Sequence, residues 1–547
     1  MNQGIEPTFI DHSQLFLTVQ DLADANALLT DEKALLEQEV LLLKSKYADL
    51  LEQVRLLKHQ RFGASSEKYS AEQQDLFNEA ETEAGDSDET QEGDTWLADQ
   101  MAAVIGNTDS SLSTEVKRGR KALPAELPRV EVIHDLPLDQ RHCPEGHALK
   151  VIGEEVSEQL DIIPAKIQVL RHIRLKYACP CCAAHVKTAG LPEQPIPKSN
   201  ASAGLLAYIA VSKFQDALPL YRQAQLFQRI GVELARGTLA AWMMRSGALI
   251  QPLINLMQEQ TDHYDLQQID ETTVQVLKEA GKKAETQSYM WVQRGGPPHQ
   301  PVILFTYAAT RAKTVAEELP ANYQGYLQSD GYAGYDAVCI NNKLHPVGCF
   351  AHARRKFDEA LKAQGHPAKA GKAGKGLIYI QKLYRIGRQI KDQPPEQRYQ
   401  VRQQLSVPIL AEIKTWLDSS LPQVPPTSKT GQALGYLNNQ WRKLIRYCDD
   451  GRLSIDNNAC ENAIRPFVIG RRNWLFSDTV KGAKASANLY SLNETAKANG
   501  LEPYRYLRHV FNELPKAKSL EAIEKLLPWH VDKENINKGW KQKIDGV

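Results

Sequence analysis

The sequence predicts a multidomain α/β protein with an N-terminal coiled coil, a small metal-binding β unit, a helical region and a mixed α/β catalytic core. Three observations predict this order: leucines repeat every seven residues, cysteines cluster after an acidic stretch, and later segments alternate between strand and helix patterns. With 547 residues, the chain exceeds what one hydrophobic core supports, so several domains are expected.

The composition is typical of a globular protein from a reducing compartment. Apolar residues make up 42% of the chain, and no apolar run approaches the roughly 20 residues of a membrane span. The N-terminus lacks the pattern of a signal peptide, so we expect a cytoplasmic protein that does not bind membranes. The 8 cysteines favour reduced thiols or a metal site over a disulfide framework.

The net charge of zero hides an uneven distribution. Residues 72–99 contain eleven acids and no Lys or Arg, so the rest of the chain carries +11. Residues 351–392 contain eleven Lys or Arg against three acids. A basic body suits a polyanion such as DNA. Residues 67–125 are predicted to form an acidic, disordered linker, whose closing basic cluster at 117–121 is either a DNA contact or a solvated charge run.

A leucine heptad repeat predicts a coiled coil over residues 1–66, which the segment RFGASSEK terminates. Asn26 occupies the second seam position, where a buried amide fixes register and favours two strands. A helix packed within its own chain is the alternative, although seven unbroken heptads favour a dimerisation helix. The predicted dimerisation residues are Leu15, Leu22, Asn26, Leu29, Leu36, Leu43, Leu50 and Leu57.

Cysteine spacing predicts a structural zinc site in a β-rich unit over residues 126–192. Structural zinc usually takes four Cys or His ligands in two pairs. Cys179 and Cys182 form a regular C-x2-C pair, and Cys143 with His147 supplies the first pair in the segment HCPEGHAL. His142 is an alternative to His147, and buried free thiols are the alternative to zinc. The four cysteines outside this unit are expected to be core thiols.

Residues 200–256 predict helices arranged like a helix-turn-helix. Two amphipathic runs meet around Gly231, and Arg236 would begin the second, DNA-facing helix. Helical hairpins also occur in enzymes that never touch DNA, so this pattern alone indicates little.

Residues 262–490 predict a catalytic domain built on a sheet. Three strand patterns are followed by a helix from Arg311 to Leu319, two further strands, and a basic helical insertion at about 358–430. This order is typical of the ribonuclease-H-like fold. Residues 491–547 are predicted to form a helical C-terminal region.

Three acids in this domain have the placement that a metal-dependent nuclease needs. Asp270 lies within the first strand, Asp330 follows the fourth at a Gly-Tyr turn, and Glu461 lies on a short helix expected to end before Pro466. Two Mg²⁺ or Mn²⁺ ions held by such carboxylates clamp the attacking and leaving oxygens of a phosphoryl displacement. We expect Asp270 to bridge the ions and the other two acids to complete their coordination.

The motifs together resemble the insertion-sequence-66 family of DDE transposases over nearly the whole chain. They comprise the leucine repeat with RFGASSE, GEEVSEQLDIIPAKIQVLRHIRLKYACPCC, KFQDALPLYRQAQLFQRIGV, DETTVQVL, QSDGYAGYD, CFAHARRKF and IDNNACENAIRPFVIGRRNW. The resemblance implies that Asp270, Asp330 and Glu461 form the catalytic triad, and it suggests accessory proteins encoded by the same element. Family members carry two cysteines in the first zinc knuckle, and Gly146 departs from that pattern.

Further residues are expected to assist catalysis or bind DNA. Cys349 and His352 form a C-x2-H resembling a motif of several DDE lineages, although His352 could equally pack at a helix start. Asn457 and Arg465 flank Glu461 at helical spacing. The predicted DNA contacts are Arg236, Arg354, Arg355, Lys356, Arg471, Arg472 and Trp474.

The predicted function is that of a bacterial insertion-sequence transposase that binds terminal inverted repeats and target DNA as a homodimer or larger multimer. Cleavage would free a 3′-hydroxyl, which then attacks target DNA. One alternative is a ribonuclease-H-like nuclease or resolvase without strand transfer. Another is a zipper-and-zinc DNA-binding regulator with an inactive catalytic fold, against which the three intact acids argue.

Overall fold

The computed structural model describes residues 167–178, 186–312, 323–332, 334–364 and 371–537, together with separate positions between 26 and 54. The chain divides into two compact units, one formed by residues 106–192 and the other by the residues on either side of it. None of the helices in these described ranges is both long and apolar enough to cross a membrane.

The smaller unit contains a short hairpin in its described part. Strand β1 (Lys176–Ala178) pairs antiparallel with β2 (Val186–Thr188). The side chain of Arg174 adds a 2.6 Å hydrogen bond from Nε to the carbonyl of Ala189. The candidate zinc ligands and the acidic linker lie outside the described residues. The hairpin agrees with the β-rich character that the sequence predicts for this unit.

The N-terminal leucine repeat is helical wherever the structure describes it between residues 26 and 54. Its seam side chains are exposed, with exposed fractions of 61% at Leu29, 54% at Leu36 and 58% at Leu50. Leu15, Leu22 and Leu57 lie outside the described residues. The described part of the helix therefore presents an apolar face that its own chain leaves uncovered.

Four helices follow in the larger unit: α1 (Ala203–Phe214), α2 (Leu220–Arg229), α3 (Arg236–Leu249) and α4 (Gln251–Asp262). The two helices predicted around Gly231 are α2 and α3, and Gly231 adopts a positive φ of 82° in the turn. Helix α3 packs so closely on a later helix that a Cβ at Gly247 would lie 2.7 Å from Ala485. The body of α3 is therefore part of the core.

The central sheet contains the strands β3 (Leu266–Lys278), β4 (Gln287–Gly295), β5 (Val302–Ala308), β6 (Tyr326–Gln328) and β7 (His345–Val347). Their order in the sheet is β5-β4-β3-β6-β7. Strands β3, β4 and β5 are antiparallel neighbours, whereas β6 and β7 run parallel to β3. A short helix, α5 (Gly334–Asn341), joins β6 to β7. The helix predicted over 311–319 lies largely outside the described residues.

A helical insertion follows β7 and has its own hydrophobic core, which includes Phe357, Leu417 and Leu434. It extends beyond the predicted limits of about 358–430 on both sides. A π-helical turn, Arg402–Ser406, lies between two of its helices. The guanidinium of Arg402 is buried there and donates hydrogen bonds to three main-chain carbonyls. The helices are α6 (Phe350–Gln364), α7 (Lys372–Gln389), α8 (Pro395–Val401), α9 (Val407–Ser420), α10 (Lys429–Asn439) and α11 (Trp441–Leu444).

Helix α12 (Asn458–Trp474) corrects one prediction from the sequence, because it continues through Pro466. A proline inside a helix removes one backbone hydrogen bond and crowds the preceding turn, at a cost of about 3 kcal/mol. The fully buried side chain of Phe467, with its neighbours Ile464 and Val468, packs into the main core. Burial of this apolar face offsets the local cost, so the helix does not end before Pro466.

Strand β8 (Ser477–Thr479) pairs parallel with the distal half of β3 and leads into α13 (Val480–Ala498). Ser491 and Thr495 of α13 bond the outer edge of β5, where the amides of Phe305 and Ile303 donate to their hydroxyls at 2.7 and 2.9 Å. The predicted boundary between residues 490 and 491 falls inside this helix. Three further helices follow in the described residues: α14 (Pro503–Glu513), α15 (Leu520–Glu524) and α16 (Lys533–Asn537).

Candidate active site

Two of the predicted acids occupy equivalent positions along neighbouring parallel strands, Asp270 within β3 and Asp330 just after the end of β6. Gln268 of β3 pairs with Gln328 of β6, and Asp270 and Asp330 each follow two residues later. Asp270 accepts a 2.9 Å hydrogen bond from the amide of Glu271. Asp330 accepts one of 2.8 Å from the amide of Tyr332. The strand register therefore brings the two carboxylates side by side.

Backbone contacts hold the turn that carries Asp330 against the helical insertion. The Tyr436 hydroxyl of α10 donates a 2.8 Å hydrogen bond to the main-chain carbonyl of Asp330. Gly331 has a φ of 90°, and a Cβ there would lie 3.1 Å from the same hydroxyl. Glycine suits this position because the turn needs a left-handed conformation and a close approach to α10.

Glu461 reaches the same place from the first turn of α12, with only 8% of its surface exposed. Asn457, the residue before the helix, fixes its start by two buried contacts. Its side-chain amide donates to the carbonyl of Ile269 at 3.1 Å, and its backbone amide donates to Sγ of Cys349 at 3.2 Å. These contacts attach α12 to the strand position next to Asp270.

Asp270 is affected electrostatically by the other acids around it. Burial raises the pKa of Asp270 well above its usual 3.8, and repulsion from Glu461, Glu271 and Asp330 raises it further. A cluster of mutually repelling carboxylate oxygens is the donor set that hard divalent cations prefer. The residues present therefore fit Mg²⁺ or Mn²⁺.

Glu271 is a buried acid of this site that the sequence reasoning missed. Its side chain is 3% exposed, forms an ion pair with Arg311, and accepts a hydrogen bond from the Tyr335 hydroxyl. The Arg311 guanidinium lies 3.7 Å from the centre of the Tyr332 ring. Burial raises the pKa of Glu271, while the bonds from Tyr335 and Arg311 oppose that shift. The available signal was a second acid directly after Asp270, which strand alternation assigns to the opposite face of the sheet.

Cys349 and His352, the C-x2-H pair, lie beside Glu461. The ligand atoms of these three residues all lie within 4.8 Å of one another. Nδ1 of His352 is 3.7 Å from Oε1 of Glu461. Burial lowers the pKa of His352 to about 4, and the nearby Arg355 and Lys356 lower it further against the opposing effect of Asp330. The imidazole is therefore neutral at pH 7.

The candidate DNA contacts of α3 and α6 differ in exposure. Arg236 is exposed at the start of α3, whereas Arg354, Arg355 and Lys356 are half-buried on α6 near His352. Nζ of Lys356 lies 5.2 Å from the centre of the Tyr436 ring.

The candidates at the end of α12 contact the protein itself. Arg471 donates to the hydroxyl of Thr272 at 3.1 Å and to that of Thr273 at 2.8 Å. The Trp474 ring packs edge-on against Phe467, with ring centres 5.4 Å apart, and lies 5.1 Å from Nζ of Lys213. The contacts of Arg471 and Trp474 attach the end of α12 to neighbouring parts of the protein. Stacking of Trp474 on a DNA base stays a prediction. Arg465 and Arg472 are half-buried on the same helix.

Comparisons with known proteins agree with this architecture along the chain. Residues 198–485 match the model of the transposase IS66 family, and residues 140–183 match the zinc-finger binding domain of transposase IS66. Residues 491–529 match the IS66 C-terminal element, and residues 49–132 match the model described as transposase C of IS166 homeodomain.

Two relatives come from Sinorhizobium fredii. The uncharacterized protein y4jD is 33% identical over 437 residues, which cover 76% of this chain and 84% of the relative. The uncharacterized protein y4qI is 32% identical over 442 residues, which cover 77% of this chain and 78% of that relative.

The mixed sheet, together with these matches, defines a transposase- or nuclease-type enzyme. The chain belongs to the IS66 family of transposases. It is accordingly a DNA transposase of an insertion sequence.

Proposed function

We propose that this transposase cleaves and joins DNA at a two-metal centre formed by Asp270, Asp330 and Glu461. The observation that carries the proposal is the electrostatic environment of Asp270: burial raises its pKa, and repulsion from Glu461, Glu271 and Asp330 raises it further. Such a cluster is costly to bury without a cation, because like charges at short range destabilise the ionised form.

The order of the sheet supports a ribonuclease-H-like core. Strand β3 is central, its antiparallel neighbours follow on one side, and the parallel strands β6 and β7 lie on the other. The acids occupy the centre of β3, the end of the adjacent parallel strand and a later helix. This placement is the one that the sequence pattern predicts for the fold.

Each residue has a defined part in the proposed reaction. Asp270 would bridge two divalent ions, while Asp330 and Glu461 would each hold one. When bound, the ions supply Lewis-acid activation of the attacking oxygen and of the phosphate. Asn457 positions Glu461 through its bond to Ile269, and His352 lies beside Glu461, with Nδ1 3.7 Å from Oε1.

Zinc and DNA contacts complete the proposal. The zinc-finger match over 140–183 includes Cys143, His147, Cys179 and Cys182, which supports structural zinc at these residues.

The basic residues of α6 lie beside the acid centre, where they could neutralise DNA phosphates. Arg236 at the exposed start of α3 would contribute to binding of the terminal repeats.

The exposed leucine face supports assembly through the N-terminal helix. Apolar seam side chains that remain more than half exposed, as at Leu29, Leu36 and Leu50, gain stability when a second copy covers them. A paired protein can couple the two ends of one element, which transposition requires. We therefore propose a homodimer as the smallest active assembly.

A two-step assay tests the catalytic proposal. Full-length protein is incubated with Mg²⁺, a DNA carrying the element's two ends, and a supercoiled target. Cleaved 3′-hydroxyl ends and end-to-target joints are the expected products, and pre-cut ends should join without the first step. Cleavage without any joining of pre-cut ends would instead identify a nuclease. Failure of both steps with normal end binding would contradict the proposal.

A further inference from the structure

A second cluster of potential metal ligands adjoins the acid centre and differs from it in chemistry. It consists of the thiol of Cys349, the imidazole of His352 and the carboxylate of Glu461. In the part of the chain that the structure describes, one ligand atom from each of these three side chains lies within 4.8 Å of the other two. The acid centre offers oxygen alone, whereas this cluster adds sulfur and nitrogen.

The geometry of the cluster matches a small tetrahedral ion. Bonds of about 2.0–2.3 Å in a tetrahedron separate neighbouring ligand atoms by roughly 3.3–3.8 Å. His352 Nδ1 and Glu461 Oε1 are already 3.7 Å apart. The sulfur of Cys349 lies within 4.8 Å of a ligand atom of His352 and of one of Glu461.

Two features of the surroundings favour a ligand at this point. Nδ1 of His352 is buried and makes no hydrogen bond within the described residues. Sγ of Cys349 accepts a hydrogen bond from the backbone amide of Asn457 at the start of α12. Cys349 is also the residue that directly precedes the first residue of α6. The positive ends of two helix dipoles therefore favour negative charge on this sulfur.

We propose that Cys349, His352 and Glu461 form a binding site for a thiophilic divalent cation such as Zn²⁺, with one coordination position left open. On binding, the thiol proton of Cys349 passes to solvent, and the thiolate, the neutral imidazole and the carboxylate each donate one electron pair. Sulfur and nitrogen ligands select Zn²⁺ over Mg²⁺, which prefers oxygen.

The site shares Glu461 with the proposed acid centre, and in this respect it rests on the proposed function. A Zn²⁺ ion held by Cys349 and His352 would draw the carboxylate away from the Mg²⁺ position. The cluster would then make cleavage sensitive to free zinc. Zinc binding itself needs neither DNA nor catalysis, so it is measured separately from the proposed reaction.

Metal content of the full-length protein tests the site. Wild type, Cys349→Ser and His352→Gln are freed of metal with a chelator, equilibrated with the same free Zn²⁺ concentration, and analysed by mass spectrometry of the metal. Each variant should hold about one zinc fewer per chain than wild type. Cys339→Ser, which alters another buried thiol, is the matched control and should retain the wild-type content.

Cobalt provides the second measurement because a thiolate ligand gives Co²⁺ a near-ultraviolet charge-transfer band. Subtracting the spectrum of Cys349→Ser from that of wild type should leave this band. Subtracting the spectrum of the control Cys339→Ser should leave no such band. The glutamine variant keeps a neutral polar side chain, so its zinc loss would report ligation and not misfolding. Wild-type zinc content in both Cys349→Ser and His352→Gln would overturn the proposal.

Discussion

The side-chain amide of Asn457 donates a 3.1 Å hydrogen bond to the main-chain carbonyl of Ile269, the residue that precedes Asp270. Asn457 is fully buried, and 188 residues separate the two partners in sequence. The bond joins the start of α12 to the middle of β3. Glu461 lies one helical turn beyond Asn457. Its position therefore depends on β3, the strand that carries Asp270.

Replacing Asn457 with alanine should therefore impair both stability and catalysis. The carbonyl of Ile269 would lose its partner in a buried site, which costs about 1–3 kcal/mol of unfolding free energy. Denaturant titration measures this loss, and the cleavage rate should fall more steeply than end binding. Asn439→Ala, at an exposed position on α10, is the control and should change neither quantity.

Neutral replacements of the three acids should abolish DNA cleavage. Asp270→Asn, Asp330→Asn and Glu461→Gln keep side-chain size but remove the charge that a pair of divalent ions requires. Gel-shift binding to element ends should stay normal, while Mg²⁺-dependent cleavage falls to background. The exposed Glu412→Gln serves as the control. Near-normal cleavage in any of the three variants would show that its acid had been wrongly assigned.

The raised pKa of Asp270 predicts a pH-dependent stability of the metal-free protein. A carboxyl whose folded-state pKa lies above its unfolded value of 3.8 stabilises the fold while protonated, and this contribution is lost as pH rises through the folded pKa. In a chelator, Asp270→Asn should melt at a higher temperature than wild type at about pH 8, by about 2–4 °C for each kcal/mol of repulsion removed.

The same difference in melting temperature should shrink towards about pH 4, where wild-type Asp270 is protonated. Added Mg²⁺ should stabilise wild type more than Asp270→Asn. A lower melting temperature for Asp270→Asn at about pH 8 would contradict the predicted repulsion.

Cysteine replacements in the smaller unit should release its predicted zinc. Cys179→Ser combined with Cys182→Ser should lower the metal content by about one zinc per chain and increase protease cleavage within residues 126–192. Separate His142→Ala and His147→Ala variants identify which histidine completes the site. Purified wild type that holds no zinc after equilibration with Zn²⁺ would rule out this site.

The seam residue Asn26 should control the size of the assembly. Deletion of residues 1–60 should weaken self-association in sedimentation velocity without affecting the acid centre. Asn26→Ile should strengthen association but yield mixed larger species, because the buried amide penalises alternative registers. Ala27→Ile, at an outward-facing position of the heptad, should remain dimeric. A monomeric wild-type protein at micromolar concentration would contradict the coiled coil.

The sequence was sufficient to find the main strands and to nominate the acids, because strand alternation is a local property. Asp270 stands in a long alternating run, and the short strand before Asp330 ends in a recognisable Gly-Tyr turn. Exposed and buried faces follow directly from such periodicity. The family resemblance then joined the two aspartates to Glu461, which no local pattern links to them.

Features that depend on tertiary contacts could not be predicted in this way. Helix α12 continues through Pro466 because its apolar face packs into the core, and that burial is invisible to helix propensity. The partner of Glu271 is Arg311, which follows a different strand. The ligand cluster around Cys349 likewise depends on the approach of the start of α6 to the start of α12.

The hydroxyls of Ser491 and Thr495 have a consequence for how copies of this protein can meet. They occupy the outward amides of β5, and Thr495 also donates to the carbonyl of Ile303. An unprotected edge strand is a template for pairing with another chain, as in amyloid or strand exchange. With the amides of Ile303 and Phe305 already bonded to a helix of the same molecule, β5 has fewer free groups with which to pair with a foreign strand. Crowding many copies on one DNA therefore carries little risk of sheet-to-sheet aggregation from this side.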